Sequence, residues 1–157
     1  MARNKTIINC IPDDLSVPML HPALRHYFTY KFYKTALRLR AKVNAALEPH
    51  DIGGPELGII RVLEIEGAMS QVDLGRSLGI DKATMVKMLD HLEHKKFIRR
   101  VAVEGDRRVK HIRVTPEGKA MFKLGGRIRE KVEKEFFAPI SLADRKRLEE
   151  ILDKLIG

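Results

Sequence analysis

The chain has 157 residues, and its 30 Lys and Arg against 21 Asp and Glu leave a net charge of +9. With 44% hydrophobic and 32% charged residues it reads as one folded, basic domain, with enough chain to bury a core. No apolar run approaches the roughly 18 residues that span a bilayer, and residues 1–14 lack the continuous apolar stretch of a secretory signal. A single cysteine, Cys10, excludes an internal disulfide and a cysteine-based zinc cluster. The expectation is a reduced, cytoplasmic protein whose excess positive charge suits an anionic partner, nucleic acid first.

Residues 1–22 hold Pro12, Pro18 and Pro22 and show no sustained period, so they read as an irregular arm. Leu24, Phe28, Phe32, Ala36, Leu39, Val43 and Leu47 then recur at steps of three or four, the stripe of one long helix ending before Pro49. Gly53-Gly54 breaks the chain, and Pro55 suits the first turn of a second helix with Leu57, Ile60 and Leu63 inward, stopped by Gly67.

The next segment carries the functional signal. Ser70 to Asp73 reads as a capping box opening a short helix with Leu74 and Leu78 inward, and Gly79 can take the left-handed conformation that ends it. Asp81 can cap a following helix with Met85, Met88, Leu89 and Leu92 as its stripe. Two short helices joined by a tight glycine turn form a helix-turn-helix pattern. The β-rich runs Ile98–Val103 and Val109–Val114 flank the turn-prone residues 104–107 and predict a hairpin. Thr115-Pro116-Glu117 then opens a helix with a hydroxyl cap, a proline in the first turn and a carboxylate at the positive dipole end. Met121, Leu124, Ile128, Val132 and Phe136 carry its stripe to Pro139, and a last helix from Ser141 holds Leu148, Ile151, Leu152 and Leu155. The fold class is mainly α with a small β-hairpin wing (α+β).

Charge is concentrated on the predicted hairpin. From Lys95 to Arg113 there are eight basic residues, opposed only by Glu104 and Asp106. The first helix, Leu24 to Leu47, has six basic residues and no acidic one, whereas Arg127 to Gly157 is nearly neutral. Closely packed like charges repel unless a polyanion relieves them.

Residues 71–93 together with Phe97-Ile98-Arg99-Arg100, Asp106-Arg107-Arg108 and Ile112-Arg113-Val114-Thr115-Pro116-Glu117-Gly118 resemble the MarR family of transcriptional regulators. The Asp-Arg-Arg turn followed after a strand by Thr-Pro-Glu-Gly is the most specific part of the match, which in element order runs from about residue 24 to the C-terminus. The resemblance implies a winged helix-turn-helix lobe plus a helical dimerisation region, an obligate homodimer and often a small-molecule effector. It divides the chain into an arm (1–22), a dimerisation helix (23–49), a DNA-binding lobe (55–115) and C-terminal dimerisation helices (116–157).

On this reading the helix from Asp81 presents Lys82, Ala83, Thr84 and Lys87 to base edges in the major groove, with Val86 beside them. Ser70 and Gln71 meet a phosphate at the preceding helix N-terminus. Arg107 or Arg108 enters the adjacent minor groove, and the resemblance suggests that Asp106 orients Arg108. Lys95, Lys96, Arg99, Lys110 and Arg113 are candidates for phosphate contacts, although strand alternation lets only some of them face DNA at once. A dimer would set two recognition helices about one turn of DNA apart on a pseudo-palindromic operator.

An effector site between the dimerisation helices and the lobe, which the resemblance suggests, would draw on His26, Tyr27, Tyr30, Tyr33 and Lys34 of the first helix and Arg61 of the second, a set suited to an aromatic acid. The first helix's cations could instead pair with Glu130, Glu133, Glu135, Glu149 or Glu150. A repressor released by such an effector is the leading function. Two rivals keep DNA as partner: a thiol-based redox sensor using Cys10, and a sequence-independent architectural binder. No phosphate loop or nucleophile elbow points to an enzyme. No cofactor is expected, and His91 with His94 forms only a weak metal pattern.

Overall fold

The computed structural model describes residues 21–103 and 106–157, without the side chains of residues 103–109. Residues 1–20 of the arm, Cys10 among them, therefore fall outside the described residues, as do the side chains of Asp106, Arg107 and Arg108. The elements run α1 (Phe28–Leu47), α2 (Gly54–Glu66), β1 (Met69–Ser70), α3 (Gln71–Leu78), α4 (Lys82–His94), β2 (Ile98–Val103), β3 (Asp106–Val114), α5 (Pro116–Phe136) and α6 (Leu142–Ile156). No described helix is long and apolar enough to cross a membrane. The chain forms two compact units, one of residues 47–127 and one of the segments before and after them.

In the 47–127 unit, each helix start follows from a local hydrogen bond. The Gly53 amide donates to Glu56 Oε2 at 2.8 Å and opens α2, with Pro55 in its first turn. The Asp73 amide donates to Ser70 Oγ at 3.1 Å and opens α3. The Asp73 carboxylate does not reach back to the backbone; it accepts from the Ser70 hydroxyl at 2.7 Å. Gly79 ends α3 at φ 63°, and the Thr84 amide then donates to Asp81 Oδ1 at 3.0 Å to open α4.

The core of this unit is drawn from these helices and the sheet. Ile59, Ile60, Leu74, Met85, Leu89, Leu92, Ile98 and Ile112 are all but fully buried, each contributing about 1.5–3 kcal/mol of transfer free energy. The sheet is antiparallel, in the order β1-β3-β2. Its third strand, β1, pairs Met69 with Ile112 and Ser70 with His111. Two residues are too short a run for alternation to reveal, so the sequence predicts only the hairpin.

The junction from β3 to α5 is fixed by three contacts on one turn. The Thr115 amide donates to the Phe97 carbonyl at 3.0 Å, and the Thr115 hydroxyl donates to the Lys96 carbonyl at 2.5 Å while accepting from the Gly118 amide at 3.0 Å. A Cβ on Gly118 would lie 2.0 Å from the Phe97 carbonyl oxygen, so this position admits only glycine.

In the other unit, α1 begins four residues later than the stripe suggests. Pro22–Leu24 winds as a 3-10 turn, and the Arg25 amide donates to the Pro22 carbonyl. His26 and Tyr27 consequently precede α1 and do not lie on it. Leu37, Ala41, Val43 and Val132 are buried, but the N-terminal half of the α1 stripe is open, with Phe28 72% and Phe32 48% exposed. On and beside α6, Ser141 caps through the Asp144 amide at 3.1 Å, while Leu142, Ile151 and Leu155 are exposed. Glu133 and Glu149, expected to meet cations of the first helix, both bond Arg145 at 3.2 Å.

Candidate nucleic-acid interface

The first turn of α4 is solvent-facing on one side. Lys82, Ala83 and Lys87 are exposed, Thr84 is half-buried, and Met85 and Leu89 hold the opposite side in the core. The hydroxyl and amide of Thr84 beside Asp81 hold that carboxyl below the usual carboxylate range. Thr84 is thus both a cap partner and a candidate base contact. At the start of α3, Ser70 is committed to its own cap and Asp73 places a carboxylate in the first turn, which leaves Gln71 as the free polar group there.

Register separates the basic residues of β2 and β3 onto two faces. Arg100 pairs with Ile112, Ile98 with Val114 and Ala102 with Lys110, and the burial of Ile98 and Ile112 marks this as the inner face. Arg99 pairs with Arg113 and Val101 with His111 on the outer face, where both arginines are exposed. Lys110 belongs to the inner side but lies beyond the core, toward the tip, and is exposed. Asp106, Arg107 and Arg108 open β3, and the pairing with β2 shifts register between Ala102 and Val103.

Two of the basic residues are committed to structure. Arg100 donates through its guanidinium to Glu93 and, at 2.6 Å, to Asp90 Oδ1, while its amide donates to Glu93 Oε1 at 2.9 Å. These carboxylates raise its pKa against the opposing pull of burial. Lys95 Nζ lies 2.8 Å from Asp51 Oδ2 with its side chain 28% exposed, so Lys95 is a structural cation and not a free phosphate ligand. Lys96 is exposed, in the left-handed region at φ 61°.

A further cluster was not anticipated from sequence. His91, half-buried on α4, places Nδ1 2.6 Å from Glu56 Oε1 and Nε2 3.5 Å from Asp51 Oδ2. The Glu56 carboxylate raises the pKa of His91 most, burial opposes it, and Asp51 adds to the rise. His94 is exposed and stands apart from the cluster. The one available signal was Glu56 itself, placed for a cap three residues after Gly53.

The effector candidates fall in both compact units. Tyr30 and Lys34 touch each other, with Nζ 5.6 Å from the ring centroid, while His26 and Tyr33 are exposed. Arg61 is exposed on α2.

A model of the MarR family matches residues 54–110, the span from α2 into β3 that carries both the candidate α4 face and the wing. Over these residues the chain is similar to the MarR family. Among curated relatives, the HTH-type transcriptional regulator PecS of Dickeya dadantii is 25% identical over 125 residues, covering 78% of this chain and 75% of PecS. A mutant of E. coli MarR complexed with operator DNA has 19% identity and a TM-score of 0.72, with 82% of this chain and 93% of that one covered. A structure of Bordetella bronchiseptica BpsR, described for the regulation of its DNA binding by 6-hydroxynicotinic acid, has 20% identity and a TM-score of 0.74, with 89% and 99% covered. At these identities the two structures establish a shared MarR fold. The comparisons give the chain a MarR-type winged-helix fold.

Proposed function

We propose that the chain represses transcription as a homodimer on a pseudo-palindromic operator. Lys82, Ala83, Thr84 and Lys87 read the major groove, and Arg107 or Arg108, the latter oriented by Asp106, enters the minor groove. Lys110 and Gln71 hold phosphates, while the Ser70 hydroxyl stays on its cap. The observation that carries this reading is the exposed Lys82–Ala83–Lys87 face at the N-terminal end of α4, the end a recognition helix presents to bases. The uncovered aromatic stripe of Phe28 and Phe32 supports burial against a second copy.

A small aromatic acid is the proposed effector, acting by favouring one spacing of the two lobes of the dimer. Its contacts would come from His26, Tyr30, Tyr33, Lys34 and Arg61. The regulation of BpsR by 6-hydroxynicotinic acid lends chemical precedent to that class.

The test is titration of the full chain with duplex from its own upstream region and with random duplex at matched salt. Preference for the upstream duplex by about 10³-fold or more is expected, and Lys87→Ala and Arg108→Ala should each weaken it several-fold. Equal affinity for both duplexes would replace the regulator by a sequence-independent binder. Unchanged binding in both variants would remove α4 and the wing from the interface.

A further inference from the structure

We propose that His91 is a positioning residue of α4, whose positive charge ties this helix to the start of α2 and to the turn at Asp51, so that operator affinity falls as the imidazole loses its proton. The inference rests on the reading of α4 as the helix that contacts DNA.

The geometry suits the charged ring. Both imidazole nitrogens face a carboxylate, Nδ1 at Glu56 and Nε2 at Asp51. A neutral imidazole has one N–H and one lone pair, so one nitrogen would set its lone pair against a carboxylate oxygen. The imidazolium donates on both sides. Neither carboxylate depends on His91 for its place. Glu56 Oε2 accepts from the Gly53 amide at 2.8 Å, and Asp51 Oδ2 takes Lys95 Nζ at 2.8 Å. The charged groups facing the ring are therefore Glu56 from α2, Asp51 from the turn before it and, through Asp51, Lys95 from the end of α4. Two carboxylates against one ammonium leave the balance in favour of the proton.

The sign of the pH dependence follows. Glu56 and Asp51 lift the pKa of His91 above its ordinary 6.5. The tie is then complete below that ordinary value and is lost as pH rises through the raised one. The lever is short, because His91 lies one turn beyond Lys87 and between the buried Leu89 and Leu92. A change in how this end of α4 is seated shifts the groups that must meet base edges, where tolerance is about 0.5 Å.

The experiment measures dissociation constants of the full chain for a duplex that it enriches from a random-sequence pool, at fixed ionic strength, from about pH 6 to about pH 8, the range in which histidine titrates. The chain has five other histidines, so the comparison is with His91→Gln and His91→Arg. Wild type should lose about three- to tenfold more affinity across the range than either variant. In NMR, the His91 ring should titrate above free histidine, and Glu56→Gln should lower that value even if His91→Gln proves unstable. Equal pH slopes in wild type and both variants would overturn the proposal while leaving DNA binding intact. Failure to bind any duplex at any pH would overturn the DNA-binding reading, and this inference with it.

Discussion

The Glu93 carboxylate on α4 accepts from the backbone amide of Arg100 at 2.9 Å and also from its guanidinium. One side chain thereby fixes both the path of β2 and the aim of the arginine, whose other branch reaches Asp90. The pairing is possible because Arg100 falls on the inner face of the sheet, opposite Ile112.

Arg100→Met should lower stability by about 2 kcal/mol, since it strips a partner from a half-buried carboxylate. Denaturant melts measure that loss. Because the clasp joins α4 to β2, the proposed DNA contact predicts that affinity for duplex falls further than the unfolded fraction explains, in a titration done well below the melting midpoint. A loss wholly accounted for by unfolding would make the clasp a matter of stability alone.

Gly118→Ala should destabilise the chain by about 3 kcal/mol or more, because the added methyl meets a backbone carbonyl that cannot step aside. Gly126→Ala is the matched control, with open space around its Cβ position. That change should be neutral or slightly stabilising, as expected for alanine in a helix. Equal midpoints for the two variants in thermal melts would contradict the packing at the start of α5.

Phe32→Glu should shift the chain from dimer to monomer in sedimentation equilibrium, since it puts a charge into the exposed stripe of α1. The helix should persist by circular dichroism, as Phe32 contributes little to the core of its own chain. An unchanged mass would place the dimer contact elsewhere.

Much of the helical lobe was legible because its signals are local. Ser70, Asp81 and Ser141 announce their helices by hydrogen bonds made within three residues, and Gly79 by a backbone angle. The Thr115–Gly118 motif was visible as a pattern, but its reason, the Phe97 carbonyl against Gly118, needs the chain to fold back over some twenty residues. The same limit hid the joining of Glu56 and Asp51 to His91 across 35 and 40 residues. Composition told that residues 95–113 are basic, but only register sorts Arg99 and Arg113 outward from Arg100 inward. Lys95 shows the cost of reading charge without contacts, because it is spent on Asp51.

The Arg99–Arg113 pair sets ionic strength against itself. Two guanidinium-bearing residues directly opposite each other on exposed strands repel, so the isolated wing is tightened when dissolved salt shields them. The complex with a polyanion responds the other way, since the same ions compete for its phosphates. Saline conditions that make the free chain sturdier would therefore loosen the proposed hold on DNA.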